Sequence, residues 1–259
     1  MGEEVVRTAR DDEVLVVTLN RPDKLNALNA EVFARLAEIV DEIGQDPSIR
    51  VVVLRGEGRA FAAGADIDDY VGIEQPAYLA FVENGRRVLD GLARLRVPVI
   101  AAVRGFALGG GFELALACDL LVVAENARLG LPEARLGLMP GGGGTQRLPR
   151  LVGRMRAAEV LLAGRVLTGA EAVEWGVATR VVPKDELDAA VAELAAAIVR
   201  QAPLAVALGK RLLREGQDLP LDAAITLESH ATTGLCTTAD AREGVQAFVE
   251  KRDPVFRGA

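Results

Sequence analysis

The sequence is poor in aromatic residues, in cysteine and in histidine. Phe, Tyr and Trp together make up 4% of its 259 residues. The only two cysteines, Cys118 and Cys236, lie far apart in the chain and form no CxxC pair. This spacing argues against a disulfide framework and against a zinc cluster. We therefore expect both cysteines to be small buried hydrophobic residues, and no metal site.

Long apolar runs are also missing. The longest, 97–103 and 114–124, are too short or too interrupted to span a bilayer, since Asp119 lies inside the second one. The amino-terminal stretch MGEEVVRTARDDE has no apolar core and predicts no secretory signal. We therefore expect a soluble, cytoplasmic protein with no membrane partner. The single histidine, His230, has no Ser or Cys partner at a recognisable spacing, so we expect it on a helix surface or at an interface.

Basic charge is scarce as well. The chain has 30 Lys and Arg against 37 Asp and Glu, which gives a formal net charge of -7. This balance disfavours a nucleic-acid surface, although a few local Lys and Arg could still hold a polyanionic ligand. Half of the residues are hydrophobic and 26% are charged, so we expect a globular protein with a substantial core.

The first two thirds of the chain alternate between strands and helices. Val14 to Leu19 is rich in β-branched residues and predicts a strand, whereas residues 30–43 have apolar positions at helical spacing. Asn29 is expected to cap that helix and Gly44 to end it. Continuous apolar runs at 49–54 and 97–103 predict strands that are buried on both faces. This alternation predicts an α/β fold with helices packed on the sheet.

The last third is different. Thr168 and Glu171 form a capping-box pattern ahead of a short helix, and residues 177–182 predict the last strand. Every later segment is predicted to be helical, namely 186–200, 203–214, 221–232 and 239–251. We therefore divide the chain into a core of residues 1–199 and a helical carboxy-terminal region of residues 200–259, whose Leu and Ala faces could pack on the core or on another subunit.

The stretch from Gly105 to Glu133 is the strongest candidate for an active site. Gly109, Gly110 and Gly111 directly precede the apolar segment FELALA. Glycine permits a close approach of the backbone to a ligand, and a helix that begins here leaves its first N–H groups unpaired at the positive end of the helix dipole. This arrangement favours the binding of an anion or an oxyanion.

Two carboxylates belong to the same stretch. Glu113 and Glu133 each lie among apolar residues, where an ionised carboxylate is costly unless it is paired or used. Such surroundings raise carboxyl pKa values toward the working range of general acids and bases. The structural alternative is that Glu113 lies on a solvated turn and that the glycines form only a tight strand-to-helix turn. A second loop of small residues, 56–67, favours the active-site interpretation.

The chain as a whole resembles the crotonase superfamily, the enoyl-CoA hydratase and isomerase proteins. The resemblance covers essentially the full length and depends on several motifs in order. The motifs are Leu19 to Pro22, Leu25 to Leu28, Ala60 to Ile67, Gly105 to Asp119, Leu131 to Glu133 and Pro140 to Leu148. The resemblance implies a crotonase-like spiral of ββα units, a helical tail used in trimer formation, and a homotrimer or a homohexamer built from two trimers.

The resemblance also implies roles for individual residues. Ala65 and Gly110 match the two backbone N–H donors to a thioester oxygen, and Glu113 and Glu133 match the two glutamates of hydratases. Gly141 matches a backbone position that helps to place the water. The implied coenzyme A contacts are Lys24, the backbone of Ala63, Gly64, Ala65, Asp66 and Ile67, and the tail residue Lys251. The segment 68–96, which follows no fixed family pattern, tends to shape the acyl pocket.

The activity implied by the resemblance is the reversible addition of water to the 2,3 double bond of an enoyl-CoA thioester. Glu133 would exchange the proton at C2, while Glu113 holds and polarises the water. No cofactor is expected, since coenzyme A is part of the substrate. The nearest alternative is an enoyl-CoA double-bond isomerase, which needs only one of the two glutamates. Other crotonase-type acyl-CoA reactions, an RNA-binding role and a non-catalytic assembly role are more distant alternatives.

Overall fold

The computed structural model describes residues 4–259 and contains two β-sheets and ten α-helices within that range. The strands are β1 (Val6–Asp11), β2 (Val14–Leu19), β3 (Val51–Gly56), β4 (Val99–Val103), β5 (Phe106–Leu108), β6 (Leu120–Ala124), β7 (Arg128–Gly130), β8 (Val166–Thr168) and β9 (Arg180–Val182). The helices are α1 (Ala30–Gln45), α2 (Gln75–Arg94), α3 (Gly110–Leu116), α4 (Gly144–Val152), α5 (Arg154–Leu162), α6 (Gly169–Glu174), α7 (Leu187–Val199), α8 (Pro203–Gly216), α9 (Leu221–Leu235) and α10 (Ala239–Glu250).

The larger sheet has six strands in the order β1-β2-β3-β4-β6-β9. All of its neighbouring strands are parallel except β1 and β2, which form an antiparallel pair. Every residue of β4 is buried, as expected for a central parallel strand covered on both faces. The smaller sheet, in the order β5-β7-β8, consists of three-residue strands. Its first strand, β5, connects β4 to the glycines at the start of α3.

Several local predictions are confirmed. Strand β2 has the predicted bounds, and the Asn29 side chain accepts a hydrogen bond from the Val32 N–H at the start of α1. The Thr168–Glu171 capping box is present with both of its reciprocal hydrogen bonds. Trp175 is 7% exposed and belongs to the main core.

Two predictions are wrong. Gly44 does not end α1, because the helix continues to Gln45 and Asp46 is its C-terminal cap. Gly44 keeps a negative φ and so never adopts the left-handed conformation that makes glycine a helix stop. Cys236 is exposed rather than buried, since it follows α9 on the outer surface, whereas Cys118 is partly buried.

The segment after residue 186 is helical, as predicted. Helix α7 packs on β3, β4 and β6, and its residues Leu187, Val191 and Ala195 belong to a second core cluster. Helix α8 is attached to the core through Lys210, whose ammonium group lies 2.8 Å from the Asp119 carboxylate. The division of the chain at residue 200 stays a prediction. No single helix within residues 4–259 is long and apolar enough to cross a bilayer, and α7 and α8 pass that test only as a pair bent by 108°.

Candidate active site

Two unpaired backbone N–H groups lie side by side at the start of α3. Gly109 has φ of 51° and directs the chain from β5 into the helix. Neither Gly110 N–H nor Ala65 N–H donates a hydrogen bond within residues 4–259. A Cβ atom placed on Gly110 would lie 3.7 Å from the Ala65 nitrogen, so the two residues are in contact. Two free backbone amides in contact can together bind a single oxyanion.

The loop that carries Ala65 is fixed on both sides. On one side, the Leu28 N–H donates to the Gly64 carbonyl at 2.8 Å and the Asp66 N–H donates to the Leu28 carbonyl at 2.9 Å. On the other side, the Leu108 N–H of β5 donates to the Ala62 carbonyl at 3.0 Å. The position of the Ala65 amide is therefore set by the backbone before any ligand binds.

Glu113 lies one turn into α3 and is 4% exposed. Its Oε1 accepts hydrogen bonds from the Gly142 N–H at 2.8 Å and from the Gly144 N–H at 2.7 Å. Burial raises the pKa of this carboxyl, whereas the two N–H groups and the nearby Arg147 guanidinium lower it. These partners stabilise the ionised form of Glu113 inside an apolar setting.

Glu133 follows Pro132 and begins a turn of 3-10 helix that ends at Leu136. Its Oε2 is buried and has no hydrogen-bond partner within the described residues. Burial raises the pKa of this carboxyl to about 7, and the negative charge of Glu113 adds to the effect. The two glutamates therefore have different surroundings, and Glu133 is the one that is protonated more easily.

Both glutamates line one cavity, together with Ala65 and Gly110. One wall is a face of α2 on which residues recur at helical spacing, namely Tyr78, Phe81, Val82, Gly85, Arg86 and Leu89. Four of the chain's few aromatic rings, those of Phe33, Tyr70, Tyr78 and Phe81, form a contiguous cluster there with centroids 5.4 to 5.6 Å apart. The cavity is thus largely apolar and has a few polar groups in its lining, as expected for a small-molecule site.

The remaining predicted contact residues fall into two groups. Ala63, Gly64, Ile67 and Gly141 line the cavity. Asp66 is next to it, with its carboxylate 2.8 Å from the Arg21 guanidinium.

The two predicted lysines do not line the cavity. Lys24 is exposed and pairs with Asp68 at 2.8 Å, so it lies beside the Ala65 loop. Lys251 is exposed at the C-terminal cap of α10. Their contacts with coenzyme A stay predictions. No group of three His, Cys, Asp or Glu within residues 4–259 could hold a metal ion.

Some functional groups are found only in the structure. The N–H groups of Gly142 and Gly144 bind Glu113, whereas the sequence directed attention to Gly141 alone. Arg147, whose guanidinium contacts the Gly142 carbonyl, was also missed. The signal for the two amides was the run of four glycines at 141–144, which indicates close backbone packing without naming the partner.

Known proteins resemble the chain over nearly all of its length. The family model for enoyl-CoA hydratase/isomerase matches residues 9–259. The chain belongs to this family. The 2,3-dehydroadipyl-CoA hydratase of Escherichia coli (strain K12) is 41% identical to it and the crotonyl-CoA hydratase of Syntrophomonas wolfei is 39% identical, with 100% and 99% of both chains covered, respectively.

The solved structures agree with this assignment. The crystal structure of enoyl-CoA hydratase from Bacillus anthracis superimposes with a TM-score of 0.96 at 39% identity, and the match covers 98% of this chain and 100% of the other. The fold is therefore the crotonase fold, and the resemblance read from the sequence motifs is confirmed.

Proposed function

We propose that the protein is an enoyl-CoA hydratase, which adds water reversibly to a trans-2-enoyl-CoA and gives the 3-hydroxyacyl-CoA. The observation that carries the proposal is the presence of a buried carboxyl, a partly buried carboxyl and two free amides around one apolar cavity. Relatives at about 40% identity are named as hydratases of acyl-CoA substrates, and coverage of both chains is nearly complete. An isomerase would need a proton shuttle such as Glu133 but would have no use for a second carboxyl in the same cavity that is fixed by two backbone amides.

The amides of Ala65 and Gly110 support the electronic part of this reaction. Attack of water at C3 moves negative charge onto the thioester oxygen, where an enolate develops. Loss of one preorganised donor to such an oxygen typically costs ~3 kcal/mol of transition-state stabilisation. Because both amides are fixed by backbone hydrogen bonds, little reorganisation is needed when the charge appears.

The two carboxyls then have separate tasks. The ionised Glu113 uses Oε1 to bind the glycine amides, which leaves Oε2 to accept a hydrogen bond from the water. The protonated Glu133 gives its proton to C2 while the water oxygen bonds to C3. The proton that the water loses passes to the other oxygen of Glu133, so both carboxyls end in their starting states. No other proton donor or acceptor is required.

The direct test is a spectroscopic assay with crotonyl-CoA and longer 2-enoyl-CoA substrates. Hydration removes the conjugated double bond, so the absorbance of the enoyl thioester should fall rapidly with the native protein. The Glu113→Gln protein, run in parallel, should show almost no change. If the native protein leaves the absorbance of every chain length unchanged, the hydratase proposal is wrong and a double-bond isomerase becomes the better candidate.

The raised pKa of Glu133 predicts a dependence on pH. The scheme needs this carboxyl protonated, so kcat/KM for hydration should fall as the pH rises through about 7, the pKa that burial gives Glu133. The same scheme applied in reverse predicts the same alkaline loss for dehydration of the 3-hydroxyacyl-CoA. The check is a pH profile of kcat/KM in both directions. A rate that is flat from pH 6 to pH 9 would show that the protonated form of Glu133 is not the active one.

The assembly and the location of the protein belong to the same proposal. Helices α9 and α10 expose large apolar side chains, among them Leu221, Ile225 and Phe248, of which Phe248 is 85% exposed. Such a surface supports the homotrimer or homohexamer implied by the family resemblance. An acyl-CoA thioester is the proposed ligand, and a cytoplasmic location stays a prediction.

A further inference from the structure

We infer that Arg147 is a positioning residue for Glu113, because its guanidinium braces the loop of residues 141–144, the glycine loop, whose N–H groups hold the Glu113 carboxylate. Arg147 touches neither the cavity nor the reacting atoms and acts through the backbone of the loop. The inference rests on the proposed function, since the task of Glu113 in hydration is part of that proposal.

The contacts form a continuous chain from α2 to Glu113. Arg147 lies in α4 and donates from Nη2 to the Asp90 carboxylate of α2 at 2.8 Å. It also donates from Nη1 to the Gly142 carbonyl at 2.5 Å. The same residue, Gly142, donates its N–H to Glu113 Oε1 at 2.8 Å. The guanidinium therefore fixes the orientation of the residue that binds the catalytic carboxylate.

The glycine loop has no room for side chains at residues 142–144, because Arg147 and Glu113 lie against it. A Cβ atom on Gly143, which has φ of 103°, would lie 2.4 Å from Arg147 Nη1. A Cβ atom on Gly142 would lie 2.9 Å from Glu113 Oε2, and one on Gly144 would lie 3.1 Å from Glu113 Oε1. The loop is thus enclosed between a guanidinium and a carboxylate, and side chains are excluded from both sides. The planar fork of arginine bridges Asp90 and the carbonyl together, which a single ammonium group cannot do in the same way.

The positive charge of Arg147 also favours the ionised form of Glu113, in addition to the hydrogen bonds that fix the loop. Burial raises the pKa of Glu113, and the positive charge of Arg147 is among the effects that lower it. The other titratable or charged groups at the cavity and behind the glycine loop are Glu133, Tyr70, Tyr78, Arg86 and Asp90. Removal of the Arg147 charge should therefore leave a smaller ionised fraction of Glu113 near neutral pH, in addition to a less rigid loop.

The test compares Arg147→Met and Arg147→Lys with Arg150→Met. Arg150 lies on the same helix but pairs with Asp218 at 3.5 Å and donates to the Gln146 carbonyl, so it is a matched control. Arg147→Met should lower kcat at least ~10-fold with little change in KM, because one charge-assisted hydrogen bond contributes about that factor. In this scheme the fall of kcat at low pH, the acid limb of its pH profile, follows the protonation of Glu113. This limb should move to higher pH in Arg147→Met. Arg147→Lys should restore the acid limb and only part of kcat, and Arg150→Met should behave like the native protein.

A second readout does not depend on activity. Carbon NMR of protein labelled at the glutamate side-chain carboxyl would follow the titration of Glu113, whose signal is identified by its loss in Glu113→Gln. Its pKa should rise in Arg147→Met and stay unchanged in Arg150→Met. If the native protein hydrates no enoyl thioester but this shift is present, the brace stands and the proposed function fails. If Arg147→Met keeps the native kcat, acid limb and Glu113 titration, the inference is overturned.

The Asp90→Asn variant keeps the inference testable if the Arg147 variants fail to fold. The amide keeps the shape of Asp90 and one acceptor for Arg147 Nη2, so the protein should fold and lose less kcat than Arg147→Met. Because Asp90 and Arg147 act in one chain of contacts, the double variant should be no slower than Arg147→Met alone. Fully additive losses would mean that the two residues act independently and would contradict the brace.

Discussion

Glu133→Gln and Glu113→Gln should each slow hydration by ~10²- to 10⁴-fold, the range that a positioned acid or base typically contributes. Binding of the coenzyme A thioester should stay nearly unchanged in both variants, because the substitutions are isosteric and lie at the reacting end of the cavity. The measurements are kcat and KM for crotonyl-CoA and the Kd of a non-reactive acyl-CoA. A loss in kcat at constant Kd identifies groups that act in the transition state.

The structure explains why these variants should remain folded. The Glu133 Oε2 has no partner among residues 4–259, so an amide nitrogen at that position breaks no hydrogen bond. A glutamine at 113 keeps a carbonyl oxygen that can accept from the amides of Gly142 and Gly144. Glu125→Gln is a matched control, since Glu125 is exposed and lies outside the cavity. Near-normal turnover in either active-site variant would remove that glutamate from the mechanism.

The sequence predicts those parts of the site whose residues lie close together along the chain better than those whose residues lie far apart in it. Gly110 and Glu113 lie within one turn of helix, so the helix itself places the amide and the carboxylate at one end of α3. Ala65 comes from a distant loop, and its role could be proposed only through the family resemblance. The backbone pairing of Ala62 with Ala107 and of Ala65 with Leu28, which brings that loop to α3, leaves no periodic signal in the sequence.

The partners of buried charges were the least predictable part. Arg147 and Asp90 are 57 residues apart, and Lys210 is attached to Asp119 across the predicted boundary at residue 200. Lys210 is 9% exposed, although a lysine in an amphipathic helix is usually expected in solvent. Its ammonium group also donates to the Val97 carbonyl at 2.9 Å, which satisfies a charge that would otherwise be costly to bury.

For the fold, the sequence predicts long elements of secondary structure better than short ones. Long elements such as β2 and α1 have enough residues for their hydrophobic period to be recognised, and their positions were predicted well. Strands β5, β7 and β8 have three residues each, which is too short for an alternating pattern, and all three were missed. Strand β1 was missed as well, because five of its six residues are exposed at the edge of the sheet.

Gly111→Ala should have a second large effect, and it acts through packing rather than through chemistry. The new Cβ atom would lie 2.1 Å from the Ala62 carbonyl oxygen, where both groups belong to the backbone framework and neither can rotate away. Helix α3 must therefore move away from the loop that carries Ala65, and this movement separates the two N–H donors of the proposed oxyanion hole. Since a displacement of about 1 Å can cost ~10²-fold in rate, we expect a loss of kcat of at least that size.

Gly209→Ala provides the comparison that isolates this cause. Gly209 also lies inside a helix, α8, but a Cβ atom added there would have no heavy atom within 4 Å. There the substitution should stabilise the protein by up to ~1 kcal/mol through helix propensity and leave turnover unchanged. Gly111→Ala should instead lower the free energy of unfolding by ~1–3 kcal/mol, the usual cost of overpacking. Urea unfolding tests the predicted stabilities, and kcat, measured well below the unfolding transition, tests the predicted turnover. Native stability and turnover in Gly111→Ala would mean that the contact between α3 and Ala62 does not hold the proposed oxyanion hole in place.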